Sequence, residues 1–168
     1  MKLLNQLNKI ILTVLAPLPI IGESIRALKI YHKIISLEKL KKFEEARIVR
    51  KKEILKINPK YQGPILRSEG QDKLYRLKNY EGAIKAFEKA EIVMEKSAFL
   101  YGVSQPDGIL SGIAIAAVLL GDIKKAIVYR DKFIAMYNGL KEITKKKDSL
   151  KWHEETIAWL NNAIDSIT

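Results

Sequence analysis

Three alanines, each set in its own helical pattern, constrain this chain more than any other feature. Around the second, Leu77-Lys78-Asn79-Tyr80-Glu81-Gly82-Ala83-Ile84-Lys85-Ala86-Phe87-Glu88-Lys89-Ala90 puts Tyr80, Ala83, Ile84, Phe87 and Ala90 at steps of three and four. That spacing gathers them on one face of a helix and leaves Glu81, Lys85, Glu88 and Lys89 to solvent. Phe43-Glu44-Glu45-Ala46 repeats the start of the pattern 37 positions earlier, and Gly121-Asp122-Ile123-Lys124-Lys125-Ala126-Ile127 repeats it 43 positions later. A paired helical pattern returning at such a period signals a helical solenoid, because one hairpin cannot bury its apolar face alone. The expected fold is all-α, with Ala83 and Ala90 admitting a neighbouring helix and Phe87 filling the space between.

These residues resemble the tetratricopeptide repeat family. The second unit has Lys78-Asn79-Tyr80 at the family's turn, then Ala83, Phe87 and Ala90. The third has Gly121-Asp122-Ile123 and Ala126, with Arg130 and Phe133 where an aromatic and an alanine would stand. The first has Phe43 and Ala46, then Arg50 and Glu53. Three units of about 34 residues would span 27–60, 64–97 and 107–140 of a single domain. Arg50 and Arg130 either snorkel with buried stems or pair with an acid such as Glu53, or the register differs in their units.

The resemblance implies a concave groove lined by the first helix of each unit. The matching positions are Leu28, Tyr31, Ile35 and Glu38, then Ile65, Ser68, Asp72 and Tyr75 with Arg76 adjacent, then Gly108, Ser111, Ile115 and Val118. The candidate contact residues among them are Tyr31, Glu38, Ser68, Asp72, Tyr75, Arg76 and Ser111. The family's clamp for acidic tails needs Lys, Asn and Arg where this chain has Tyr31, Ile35, Glu69 and Gly112. The implied occupant is therefore an apolar or amphipathic peptide or helix of another protein, or a terminal helix of the chain itself.

Flanking segments complete the reading. Residues 1–26 carry Leu3, Leu7, Ile10 and Val14 on one stripe and meet prolines at Pro17 and Pro19, so an N-terminal amphipathic helix is expected there. It would pack under the first unit or lie on a membrane surface. Asn5, Gln6, Asn8 and Lys9 interrupt the apolar run that a signal peptide needs. Residues 101–108 read as a loop, and 109–120, rich in small residues, as a helix buried on most sides. In 141–168, Ile157, Leu160, Ile164 and Ile167 form one stripe with Trp152 and Trp159 beside it, as suits a capping helix.

A net charge of +11 favours acidic partners or an anionic membrane. The densest positive stretch, Lys39 to Lys60, has no interleaved aromatic platform, which weighs against nucleic-acid stacking. The absence of cysteine excludes disulfides, thiolate metal sites and Cys nucleophiles, and is compatible with the cytoplasm, with membrane association through residues 1–21. No phosphate-binding loop, nucleophile elbow or zinc-protease motif occurs, and His32 and His153 have no partner at metal-ligand spacing. Neither enzymatic activity nor a cofactor is expected. The reading is a protein-binding adaptor, regulator or sensor, with a basic membrane-surface or nucleic-acid-associated module as the alternative.

Overall fold

A computed structural model of the chain describes residues 19–101, 107–143 and 150–167. The expected helix in residues 1–18, the loop at 102–106 and the basic stretch at 144–149 lie outside the described residues. Every regular element among those described is helical: α1 (Pro19–Lys39), α2 (Phe43–Ile54), a 3-10 turn (Pro59–Tyr61), α3 (Gly63–Gln71) continuing as a π turn (Asp72–Arg76), α4 (Tyr80–Tyr101), α5 (Asp107–Leu120), α6 (Ile123–Ile143) and α7 (Lys151–Asp165). The fold is all-α, built of three helix-turn-helix hairpins (α1–α2, α3–α4, α5–α6) followed by a last helix. It divides into two compact units, one from the described residues of 1–68 and 92–104, the other from those of 69–91 and 105–168.

The three hairpins share one turn. Each has a residue at positive φ two positions before its second helix: Lys41 (φ 59), Lys78 (φ 55) and Gly121 (φ 82). Only glycine takes that conformation freely, so the two lysines are held there by the structure around them. In the first hairpin Lys41 N donates to Glu38 O (3.0 Å) and Lys42 N to Leu37 O (2.9 Å). In the third, Gly121 N donates to Val118 O (3.0 Å) and Asp122 N to Ala117 O (2.9 Å). Both are Schellman closures, which satisfy carbonyls orphaned at a helix end.

The second turn is one residue wider, with Asn79 N donating to Lys73 O (2.9 Å), and the π turn over Asp72–Arg76 absorbs the extra residue. Asn79 and Asp122 then cap the following helices, accepting from Gly82 N (2.9 Å) and Lys125 N (3.1 Å). Ala46, Ala83 and Ala126 each stand fourth in the second helix of their hairpin, and all three are buried.

In the first unit α1 packs on α2, with Ala27, Ile30, Ile34, Ala46, Ile57, Tyr61 and Ile65 forming the core. α1 begins at Pro19 and α2 stops at Ile54. The Gln62 side chain donates to both Ile54 O and Ile57 O at 2.9 Å, which closes that helix end. The start of α3 lies against α4 here, where a Cβ on Gly63 would come within 2.5 Å of Met94 Cγ.

In the second unit the Phe87 side chain of α4, fully buried, lies between two glycines on different helices. A Cβ on Gly70 of α3 would stand 2.6 Å from Phe87 Cδ1, and a Cβ on Gly112 of α5 would stand 2.6 Å from Cε2. As expected, α5 is buried nearly all round, from Ile109 to Val118 with Ile115 alone half-buried. It packs on both α6 and α7. Phe133 of α6 meets Trp152 edge-on and stacks on His153, so α7 covers one side of the last hairpin. Ile167, expected on the buried stripe of that helix, is exposed beyond its end.

The ring of Phe87 is met on two sides by glycines whose added Cβ would come too close to it. Overpacking at such a place costs about 1–3 kcal/mol, more than the roughly 1 kcal/mol of helix propensity that Gly→Ala returns. We expect Gly70→Ala and Gly112→Ala each to lower stability in urea unfolding. The loss from Gly112→Ala should shrink in a Phe87→Leu background, and equal losses in the two backgrounds would show that the ring is not what the glycine accommodates.

Candidate functional site

Of the seven candidate contact residues, four are buried or nearly so and serve the interior. In the first unit, Arg50 Nη2 donates to Glu38 Oε1 (2.8 Å) and to Ser68 Oγ (3.1 Å), and Ser68 Oγ donates to the same carboxylate oxygen (3.4 Å). The two charged side chains are 6% and 11% exposed. Arg50 holds the place where the repeat pattern would put an aromatic, and the acid that answers it comes from α1. Glu53, the acid named from sequence, instead receives Lys56 Nζ (3.1 Å), while Arg130 meets its exposed chain neighbour Asp131 (2.9 Å). Ser68 is fully enclosed, so it offers nothing to a partner on the surface.

In the second unit, Asp72 is buried at the head of the π turn and faces Arg76 Nη1 at 3.5 Å. Ser111 is buried as well, its hydroxyl donating to Asp107 O (2.6 Å). Tyr75 and Leu77 are exposed on either side of Arg76, which is itself exposed. Tyr31, in the first unit, is half-buried against the core there, with its ring 5.8 Å from that of His32. Glu38, Ser68, Asp72 and Ser111 are thus interior groups; Tyr75 and Arg76 are open, and Tyr31 partly so.

Sequence spacing gave no sign of a second polar cluster. His153 is buried, stacked on the rings of Phe133 (5.7 Å) and Tyr137 (6.1 Å), with Trp152 edge-on at 4.9 Å. Its Nε2 lies 3.4 Å from Asp107 Oδ2, a residue 46 positions earlier, a separation at which no local motif could be read. Tyr137 Oη donates to Glu154 Oε1 at 2.6 Å, and this bond, ahead of desolvation, raises its pKa. Tyr129 Oη donates to Glu91 Oε2 (3.0 Å), beside Lys132 Nζ on the other oxygen (3.2 Å). Desolvation first, then that carboxylate, push the Tyr129 phenol up to about 12. Among the described residues no group of three or more His, Asp or Glu could hold a metal ion.

Exposed cations crowd α1, where Arg26, Lys29 and Lys33 follow one another with His32 among them and no carboxylate between, and Lys39 stands exposed at its end beside Glu38, which pairs with Arg50. The outward face of α2 carries Glu44, Glu45, Ile48, Lys51 and Lys52, with Leu55 exposed just past its end. Among the described residues no helix is long and apolar enough to cross a membrane. Comparison with protein-family models, curated proteins and solved structures finds no match.

Two outcomes follow. Removing one member of a buried ion pair costs about 3–5 kcal/mol, because the partner's charge stays behind. Arg50→Met should therefore be strongly destabilising in thermal and urea unfolding, and Glu38→Gln added to it should restore a large part of the loss. For Tyr129 the folded pKa lies above the ordinary value near 10. Its contribution is complete below pH 10 and is lost as pH rises from 10 to 12. The stability advantage of the wild type over Tyr129→Phe should narrow across that window, whereas a constant advantage would contradict the shift.

Proposed function

We propose that this chain is a helical-hairpin repeat protein of tetratricopeptide type, which holds another protein or peptide and carries out no reaction of its own. The observation that carries the reading is the threefold recurrence of a positive-φ turn residue, Lys41, Lys78 and Gly121, with a buried alanine five positions after each: Ala46, Ala83 and Ala126 stand fourth in their helices. Repeat scaffolds of this kind are used mainly as binding surfaces. A cytoplasmic setting accords with a chain that has no cysteine.

The contact surface in this reading centres on Tyr75 and Arg76. Tyr75 is 52% exposed and Leu77 48%, two large apolar side chains flanking a guanidinium. Tyr and Arg are the residue types that dominate binding energy at protein interfaces, since each combines a broad apolar surface with directed polarity. The π turn that carries Tyr75 and Arg76 departs from the regular helix, and such turns recur at functional positions.

A photoreactive amino acid placed at Tyr75, with exposed Lys85 as the comparison position, tests this in cells producing the full chain. A discrete protein adduct is expected from position 75 and not from 85, and Arg76→Glu should reduce it. Equal labelling from both positions, or none from 75, sinks the proposal.

A further inference from the structure

The exposed large apolar side chains are unevenly placed. Among the described residues the three most exposed, Leu55 (85%), Leu40 (69%) and Ile48 (65%), all belong to the first hairpin. Ile48 and Leu55 are seven residues apart, so they lie on one line along the outward side of α2, opposite buried Ala46 and Arg50. Lys51 and Lys52 stand between them on either side of that line and are exposed. The acids at the start of the helix are already engaged within the hairpin, Glu44 by Arg47 and Glu45 by Lys42 (3.0 Å). On α1, the other helix of the hairpin, exposed Arg26, Lys29 and Lys33 add cations without an intervening acid, and Lys39 follows Glu38, whose carboxylate is taken by Arg50.

We infer that the α1–α2 hairpin docks on an anionic lipid bilayer, with α2 lying along the surface, Ile48 and Leu55 entering the headgroup boundary and Lys51 and Lys52 contacting lipid phosphates. Charge complementarity selects an anionic occupant, as the chain as a whole carries +11. The two aliphatic side chains select lipid over a polynucleotide, which has no hydrocarbon to receive them, and the exposed residues of α2 include no aromatic ring on which a base could stack. A second copy of the chain is disfavoured, because the same lysines would face each other. Lysine rather than arginine suits the role, since a flexible ammonium follows a fluid headgroup layer without fixed bidentate geometry. The sequence before α1 is rich in leucine and isoleucine, so the hairpin follows directly on a segment compatible with the same surface.

The full chain is to be measured by sedimentation with vesicles of phosphatidylcholine alone and with vesicles containing phosphatidylglycerol, an anionic surface near which each lysine is worth roughly a fivefold change in partitioning. Binding is expected only to the anionic vesicles and should fall as salt rises. Lys51→Gln with Lys52→Gln should weaken it about 25-fold. Ile48→Ser with Leu55→Ser should weaken it at least tenfold, with far-ultraviolet circular dichroism unchanged because all four positions are exposed. Lys85→Gln with Lys89→Gln removes the same charge elsewhere and should have a much smaller effect.

Four results overturn the inference. The first is equal loss in the two lysine pairs, which reduces the attraction to net charge. The second is no loss in the Ile48/Leu55 variant, which leaves residues 1–18 or charge alone as the anchor. The third is tighter binding to single-stranded polyuridylate, weakened by the lysine substitutions alone. The fourth is a dimer in vesicle-free ultracentrifugation that Ile48→Ser with Leu55→Ser dissociates.

Discussion

The second unit depends on the contact of one aromatic ring with two pieces of bare backbone. Phe87 is gripped by Gly70 of α3 and Gly112 of α5, so three helices approach one another as closely as a ring's thickness permits. Close-packed interiors tolerate little change in volume, and here two of the three partners have no side chain to adjust. The small residues along α5 follow from the same requirement, because a helix buried from Ile109 to Val118 needs narrow positions wherever a neighbour comes near. The first unit solves the equivalent position differently. Its eighth residue of the second helix is Arg50, and the guanidinium is accommodated by a carboxylate and a hydroxyl instead of by glycines. A charge can occupy a core position only when its hydrogen-bonding capacity is met there, which ties Glu38 and Ser68 to Arg50.

These two solutions explain what was legible in the amino-acid order. Helix type, hairpin pairing and the fourth-position alanines follow from spacings of three and four, which local sequence carries in full. Asn79 and Asp122 were readable as turn residues because a short polar side chain just before an apolar pattern has a known use as a cap. Lys41 and Lys78 were not readable as left-handed residues, since nothing about lysine favours positive φ and only the hairpin imposes it. The π turn at Asp72–Arg76 was equally hidden, as the one extra residue it absorbs becomes apparent only when three turns can be compared. Gly70 carried no signal of its own, because its role is defined by a ring seventeen positions later.

The candidate groove was the least legible feature, for a related reason. Carrying over positions by family pattern assumes that every unit presents the same stripe of its first helix. Glu38, Ser68, Asp72 and Ser111 fall on that stripe by count, yet their side chains turn to interior partners. Polar residues at such positions read as binding groups in a sequence, whereas a buried arginine or a helix start can claim them first. Ile48 and Leu55 show the converse. Their sevenfold spacing with lysines between was visible throughout, but an aliphatic residue in a helical pattern is ordinarily assigned to the core.

The exposed pair bears on how the first hairpin is organised. Both units leave large apolar side chains exposed, but among the described residues the three most exposed, Leu55, Leu40 and Ile48, all belong to the first. Fully burying a Leu or Ile side chain is worth about 1.5–3 kcal/mol, so Ile48 and Leu55 forgo a stabilisation comparable to that of a strong hydrogen bond. Polar residues at both positions would keep α2 helical and remove the exposed apolar surface, because helix propensity differs little among them. The side chains that face inward, Ala46 and Arg50, already satisfy the hairpin's packing with α1. The aliphatic pair therefore contributes nothing to the folded hairpin that a serine or lysine would not, and its physical effect is confined to whatever meets that surface.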